Sequence, residues 1–495
     1  MLNIVEGLRS PFQAKIEEHL SRGELQQASA AAEAELHRNP QNINAMLWLG
    51  QVYLSMRRYA LGAVILSWAC RLMKDLTKEG LLTGEHPEPW TALGLCFHKM
   101  HHSGEAQNAF EYAYELDPRH ADNLNNLGSL HINTGEPEEA EKWFRRCLEV
   151  VPDHPNAHFN LSLALGEQGR MGECWKHQEV ALAAMIRPNR QYDAPPWDGT
   201  EVDTLVVYGE QGIGDELLFA SMVPDLDPLV RKRLILDCHP RLIGMFERSF
   251  RPIFGDRLAL YPTRKEMHLT IPRWLPGEPG IDAKISMASL GGVFRNEHAD
   301  FPGTPYLAAD PELVESYLRA FKGMFGDRPV IGWTWWGGKP ESHSYERALP
   351  PAQLLPLLCR DDVAWLCLQH TNGVPDPIGE LGRLQAEAGI DLAYMIHEID
   401  DFERLTAMTD ACDLIITVDQ TLVHQAGAVG TPCWVLTPKG CSWRYSMLED
   451  PTRMLWWESV KLFRQEERGE WMPVVNRIGG ALNAWMNERT MEAAE

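Results

Sequence analysis

The sequence predicts an α-helical repeat solenoid followed by an α/β region made of two lobes, each a parallel sheet covered by helices. Three observations carry this. A thirty-four-residue period runs through the first third of the 495 residues. A stretch rich in proline ends the period. Beyond it, short, nearly continuous apolar runs alternate with helix-like segments, the pattern of parallel strands buried on both faces.

The period is read from several positions at once. Gly94 and Gly128 are thirty-four apart, as are Leu93 and Leu127, Ala106 and Ala140, Phe110 and Phe144, and Pro118 and Pro152. It continues to Ser162, to Gly169 from Gly135, and to Leu182 from Leu148. Leu49, Gly50 and Tyr53 open an earlier unit, displaced by ten inserted residues around "KEGLLTGEHPE", and Ala28, Leu36 and Pro40 mark one earlier still. The small residues let paired antiparallel helices approach, large apolar residues fill the gap, and proline ends the second helix. One pair cannot bury its own face, so pairs stack. About five repeats are predicted over residues 11–187. Asn126 and Asn160 recur one repeat apart and are candidates to hydrogen-bond an extended peptide; the rival reading leaves them solvated or bonded within the helices. His98, His101 and His102 fall at an inter-helix turn and read as exposed side chains rather than metal ligands.

"RPNRQYDAPPWDGTEVD" then breaks the helices, giving a linker over 188–201. "TLVVYG", "RLILDC", "LALYP" and "HLTIP" predict the strands of a first lobe, 202–326. "PVIGWTWWG", "VAWLCLQ", "DLIITV" and "PCWVLTP" predict those of a second, 327–480. The last residues, 481–495, read as a C-terminal helix or tail.

Ligands of open parallel sheets bind beyond the carboxyl ends of the strands, so the exit turns matter most. The first is "GEQGIGDE", Gly209–Glu216. Gly212 and Gly214 permit close approach of a ligand. Asp215 and Glu216 suit a helix start, and a carboxylate there suits general-base work on a hydroxyl better than phosphate binding. The turn does not have the dinucleotide-binding glycine spacing. The second is "GGKPESHSYER": Gly337, Gly338 and Lys339 offer amides and a cation to a diphosphate, with Ser342, Ser344 and Arg347 as further donors. The third is "DQTLVHQAGAVG", in which Asp419, Gln420 and Thr421 lead into a helix whose amides can hold an anion, with His424 one turn in.

A formal net charge of -23 argues against a nucleic-acid or anionic-membrane surface. Ten scattered cysteines show neither a CxxC pair nor zinc-ligand spacing, and read as buried free thiols. No apolar run is long enough for a membrane span. The first residues lack the form of a secretory signal, so a cytoplasmic protein is predicted.

The repeat, with Trp90, Leu93, Gly94 and Phe97 in the spacing W-x-x-L-G-x-x-F, resembles the tetratricopeptide repeat. The three turns in their order resemble the two-lobed GT-B glycosyltransferases, and more closely glycosyltransferase family nine, the heptosyltransferase-like enzymes. The motifs are "GIGD" (Gly212–Asp215) and "DQTLVHQAGAVGTP" (Asp419–Pro432). The linker motif ending in Trp197, Asp198 and Gly199 and the closing "WRY" and "LFRQ" are similar to bacterial proteins that join such repeats to such a transferase. The resemblance implies Asp215 as the base. It implies a nucleotide-sugar diphosphate held in the second lobe by Gly337, Gly338, Lys339, Asp419, Gln420, Thr421 and His424. The acceptor then lies on the side of the first lobe, where Glu210, Gln211, Gly212 and Gly214 line its place or the cleft beside it. It further implies an inverting transfer with no metal or other cofactor. Gln420 departs from the family, which places threonine directly after the aspartate, and "YERAL" replaces the usual R-x-x-S ending.

The predicted function is therefore transfer of a sugar to an acceptor, a protein brought by the repeats. Two alternatives stand beside it. One is a non-catalytic interaction scaffold with a degenerate transferase region. The other is a transferase acting on a glycan or a lipid-linked sugar.

Overall fold

The computed structural model describes residues 11–184, 190, 192–262, 280–338, 347–371, 374, 376–390, 392–440 and 442–492. They form two compact units, residues 1–164 and 165–495.

The first unit holds the helical repeats. Its helices are α1 (Pro11–Ser21), α2 (Leu25–Arg38), α3 (Ile43–Ser55), α4 (Tyr59–Lys78), α5 (Pro87–Lys99), α6 (Ser103–Leu116), α7 (Ala121–Thr134), α8 (Pro137–Val150) and most of α9 (Pro155–Glu167). The periodic glycines have a steric cause. A Cβ added at Gly50, Gly94 or Gly128 would lie 2.5, 2.6 or 2.4 Å from Leu66, Phe110 or Phe144, each sixteen residues on in the second helix of the same pair. Phe110 and Phe144 are fully buried. The small residue and the large one are thus two halves of one contact, which explains why both keep the period. The histidine cluster differs from its prediction. His98 is buried, and its Nε2 lies 3.1 Å from Asn133 Nδ2, while His101 and His102 are exposed.

The second unit begins inside the last repeat. Its first complete helix, α10 (Met171–Ala183), carries Trp175 against Gly291, where an added Cβ would come within 2.5 Å of the indole. Trp175 Nε1 donates to the Arg295 carbonyl at 2.7 Å, and the ring meets Trp443 edge-on at 5.5 Å. The predicted repeat range 11–187 is therefore not one compact body, because its last helix packs with the α/β region.

Two all-parallel sheets follow. The first has the order β3-β2-β1-β4, from β1 (Val202–Tyr208), β2 (Val230–Cys238), β3 (Leu258–Pro262) and β4 (Ala283–Ser286). Its helices include α11 (Ile213–Phe219), α12 (Ile243–Phe254) and α13 (Leu290–Phe294). The segment read as a linker belongs partly to this sheet: Trp197 N donates to Lys284 O at 2.8 Å and Lys284 N to Pro195 O at 3.0 Å, along β4. Helix α14 (Pro311–Phe325) leads to the second sheet. That sheet has the order β10-β9-β8-β5-β6-β7, from β5 (Val330–Trp333), β6 (Ala364–Cys367), β7 (Ala393–Tyr394), β8 (Leu414–Val418), β9 (Cys433–Thr437) and β10 (Val460–Arg464). Between and after these strands run α15 (Pro377–Ala388), α16 (Phe402–Ala411), α17 (Thr421–Val429) and α18 (Met472–Glu492).

Counted from its own first strand, the second sheet has the doubly wound order 3-2-1-4-5-6, whose direction reverses between β5 and β8. The solenoid and the two parallel sheets are the predicted fold class, consistent with a GT-B-like region. The reading omitted β4, β7 and β10, and "HLTIP" lies outside the described residues. The expected C-terminal helix or tail at 481–495 is helical over its described residues but is not separate from the second lobe. Its described part, 481–492, continues α18, whose Ile478 and Leu482 are fully buried in the second-lobe core with Trp485 packed against that core.

Candidate functional site

The exit turns of β1, β5 and β8 share one cleft of about 890 Å³. Its lining includes Gly212–Asp215 from the first sheet, and Gly338, Arg347, Asp419–Thr421 and His424 from the second. His239, Arg241, Ser442 and Arg444 complete the polar side.

Asp215 sits at the start of α11, and one of its oxygens accepts the Gly212 N–H at 2.9 Å. The same carboxylate forms an ion pair with Arg444. Arg444 also donates to Ser442 Oγ at 2.7 Å and to Gln211 Oε1 at 3.4 Å, and its guanidinium lies 5.1 Å from the Trp443 ring centre. Glu216 is buried and turned away from the cleft, accepting the His239 N–H at 2.7 Å. Glu210 is buried and accepts from Gln211 Nε2 at 3.2 Å.

Opposite stands the start of α17. A Cβ at Gly214 would fall 3.0 Å from Thr421 Oγ1 and 3.3 Å from its Cα, so α11 and α17 meet where Gly214 has no side chain. No side chain caps α17, which leaves its first amides directed at the cleft end. Gln420, the departure from the family pattern, has a structural explanation. Its Nε2 donates to Thr334 Oγ1 at 2.5 Å and to Thr417 Oγ1 at 3.0 Å, joining the ends of β5 and β8. Gly337 crosses so near this turn that a Cβ there would lie 2.6 Å from the Asp419 carbonyl oxygen.

Asp419 is buried beside Arg347 (3.5 Å) and the Tyr445 hydroxyl. Burial and then the Asp419 carboxylate push the Tyr445 phenol well above its ordinary value, so the hydroxyl keeps its proton. Burial first, and the Arg444 charge second, lower His424 to about 4, against the opposing pull of Asp215 and Asp419. Its Nδ1 accepts the Trp457 indole N–H at 3.4 Å. A neutral ring accepting at Nδ1 carries its proton on Nε2, so His424 is a neutral donor at pH 7.

The structure therefore brings Asp215, Gly212, Gly214, Gly338, Asp419, Gln420, Thr421 and His424 together, with Gln211 reaching Arg444 from the same turn. Lys339, Ser342 and Ser344 lie outside the described residues. Arg241 and Arg444 had been given no role. For Arg444 the available sign was the "WRY" motif, whose Trp443 ring lies beside the guanidinium. In the first unit, Asn160 Nδ2 donates to Asn125 Oδ1 at 2.9 Å and to Ser129 Oγ at 3.2 Å, an internal bond to the preceding repeat, while Asn126 is half-buried. Among the described residues, no group of three or more acidic, histidine or cysteine side chains is placed to hold a metal ion, and no helix is long and apolar enough to cross a membrane.

Tetratricopeptide repeat models match residues 14–66 and 101–170. Protein FlbA of Caulobacter vibrioides is 25% identical over 442 residues, covering 79% of this chain and 72% of that protein. The human protein O-mannosyl-transferase TMTC3 is 40% identical over 74 residues, 15% of this chain and 8% of its own length. Among solved structures, the crystal structure of MamA is 20% identical with a TM-score of 0.29, covering 36% of this chain and 95% of its own. The repeats support protein–protein interaction by the first part of the chain.

Proposed function

We propose that the chain is a glycosyltransferase that moves a sugar from a nucleotide-sugar donor to an acceptor, a protein recruited by the repeats. One observation carries the reading: a carboxylate, Asp215, faces an uncapped helix start, three arginines and a neutral imidazole donor in one cleft at the carboxyl ends of two parallel sheets. In this reading the donor diphosphate lies against Thr421, Gly338, Arg347 and Arg444. Asp215 takes the proton from the acceptor hydroxyl as that oxygen bonds to the anomeric carbon. The bond from that carbon to the diphosphate breaks, and its electrons go to the leaving group, whose charge the guanidiniums, the α17 dipole and His424 Nε2–H meet. A single displacement inverts the anomeric centre, and cationic side chains fill the place a metal takes in other transferases.

The test is calorimetric titration of UDP, GDP, ADP, CDP and dTDP in EDTA, with the wild type and Arg347→Ala. One nucleotide should bind saturably, and the substitution should weaken it about tenfold, or about 1.4 kcal/mol. If none binds, the transferase reading fails. A second reading, a repeat-based interaction scaffold, draws on the observation that the Asp215 carboxylate is already engaged by Arg444 and Gly212; absence of nucleotide binding would favour it.

A further inference from the structure

The engaged carboxylate has another explanation. Arg444 has the geometry of a phosphate ligand: a planar fork, held by Ser442 and Gln211, on the wall of the cleft. It is paired instead with Asp215, and the two side chains are only 20% and 17% exposed. Parting them without a replacement anion would leave two poorly solvated charges. Among the described lining residues three guanidiniums, of Arg241, Arg347 and Arg444, face two carboxylates, of Asp215 and Asp419. The described lining therefore carries a positive excess inside a chain of net charge -23.

Resting on the transferase reading, we propose that Asp215 is an internal stand-in for the donor's diphosphate. Its carboxylate occupies Arg444 until the diphosphate arrives. The exchange then seats the ligand on Arg444 and releases Asp215 to accept the acceptor's proton. No covalent bond changes in this step; one anion replaces another on the same cation. The carboxylate stays near its place, because the Gly212 N–H still holds one of its oxygens. The base is thereby masked in the empty protein and exposed only when a donor is bound. That enforces donor before acceptor and suppresses unproductive chemistry at an empty site. Arg444 acts as ligand and as gate. Among the described residues, Arg444 is the cation paired with Asp215.

The test uses the full-length protein and inorganic pyrophosphate. Wild type, Asp215→Asn, Arg444→Ala and the double variant are titrated calorimetrically. The amide introduced by Asp215→Asn keeps an oxygen for the Gly212 N–H, and Arg444→Lys serves as a second variant that retains charge without the fork. Asp215→Asn should bind about tenfold more tightly than wild type, since the competitor is removed. Arg444→Ala should bind at least about tenfold more weakly, with Arg444→Lys between. The gain from Asp215→Asn should vanish in the Arg444→Ala background, because the two act as one unit. If the gain persists there, it reflects only the loss of a negative charge, and the gate is refuted. If wild type binds and Asp215→Asn binds equally or more weakly, the gate is refuted while the anion site stands. If neither wild type nor Asp215→Asn binds pyrophosphate, the transferase reading falls as well.

Discussion

Acid should destabilise the second unit through His424. In the folded protein its imidazole is lowered from 6.5 to about 4. Between those values the unfolded chain binds a proton that the folded one refuses, so stability is lost as pH falls and is fully present above about pH 6.5. For one group, linkage gives a loss of about 2 kcal/mol between pH 7 and pH 5 and about 3 kcal/mol by pH 4. The matched variant is His424→Asn, whose oxygen can accept the Trp457 N–H that Nδ1 accepts now. That variant loses packing by an amount independent of pH, and the first unit is common to both proteins. The informative quantity is therefore the difference in urea unfolding free energy between wild type and variant at pH 7, 6 and 5. Wild type should lose about 2 kcal/mol relative to His424→Asn over that range. Parallel curves would refute the argument, because they would mean that His424 titrates alike in both states and is not desolvated.

Three further outcomes follow from packing and burial. Gly128→Ala places a methyl 2.4 Å from Phe144 Cε1 and should cost about 1–3 kcal/mol in urea unfolding, with Phe144→Leu in the same chain restoring part of it. Gly427→Ala puts a methyl 2.3 Å from Trp457 Cγ, so it should displace the indole from His424, lower stability by a similar amount and weaken pyrophosphate binding, read by melting and calorimetry together. Cys359 is exposed, whereas burial pushes the thiols of Cys367, Cys412 and Cys433 upward. Iodoacetamide at pH 8 should thus modify the Cys359 peptide before the other three, as followed by mass spectrometry.

The solenoid was legible because each repeat writes the same contact twice, in a glycine and in the large side chain it admits. The longer strands were legible because both faces are buried and little that is polar interrupts them. The shorter ones were not: β4 and β10 carry lysines, Lys284 and Lys461, and β7 spans only Ala393–Tyr394. Within the cleft, the exit turns of β1 and β8 could be found from glycine, acid and helix-start spelling. Arg444 could not be placed that way. It follows β9 by several residues, and only the folded chain brings it beside a residue 229 positions earlier. Gln420 read as a defect in a ligand loop because its partners, Thr334 and Thr417, lie at the ends of two different strands.

The seam between the compact units runs through a repeat, not between the repeats and the linker. The indole of Trp175 fills the space above Gly291, and Trp443 lies over Gly166. A gene rearrangement that joined a new repeat array at residue 188 would remove the tryptophan that closes the neighbouring lobe. Exchange of arrays is tolerable only upstream of residue 165, so the end of α9 and all of α10 should be inherited with the α/β half whatever repeats precede them.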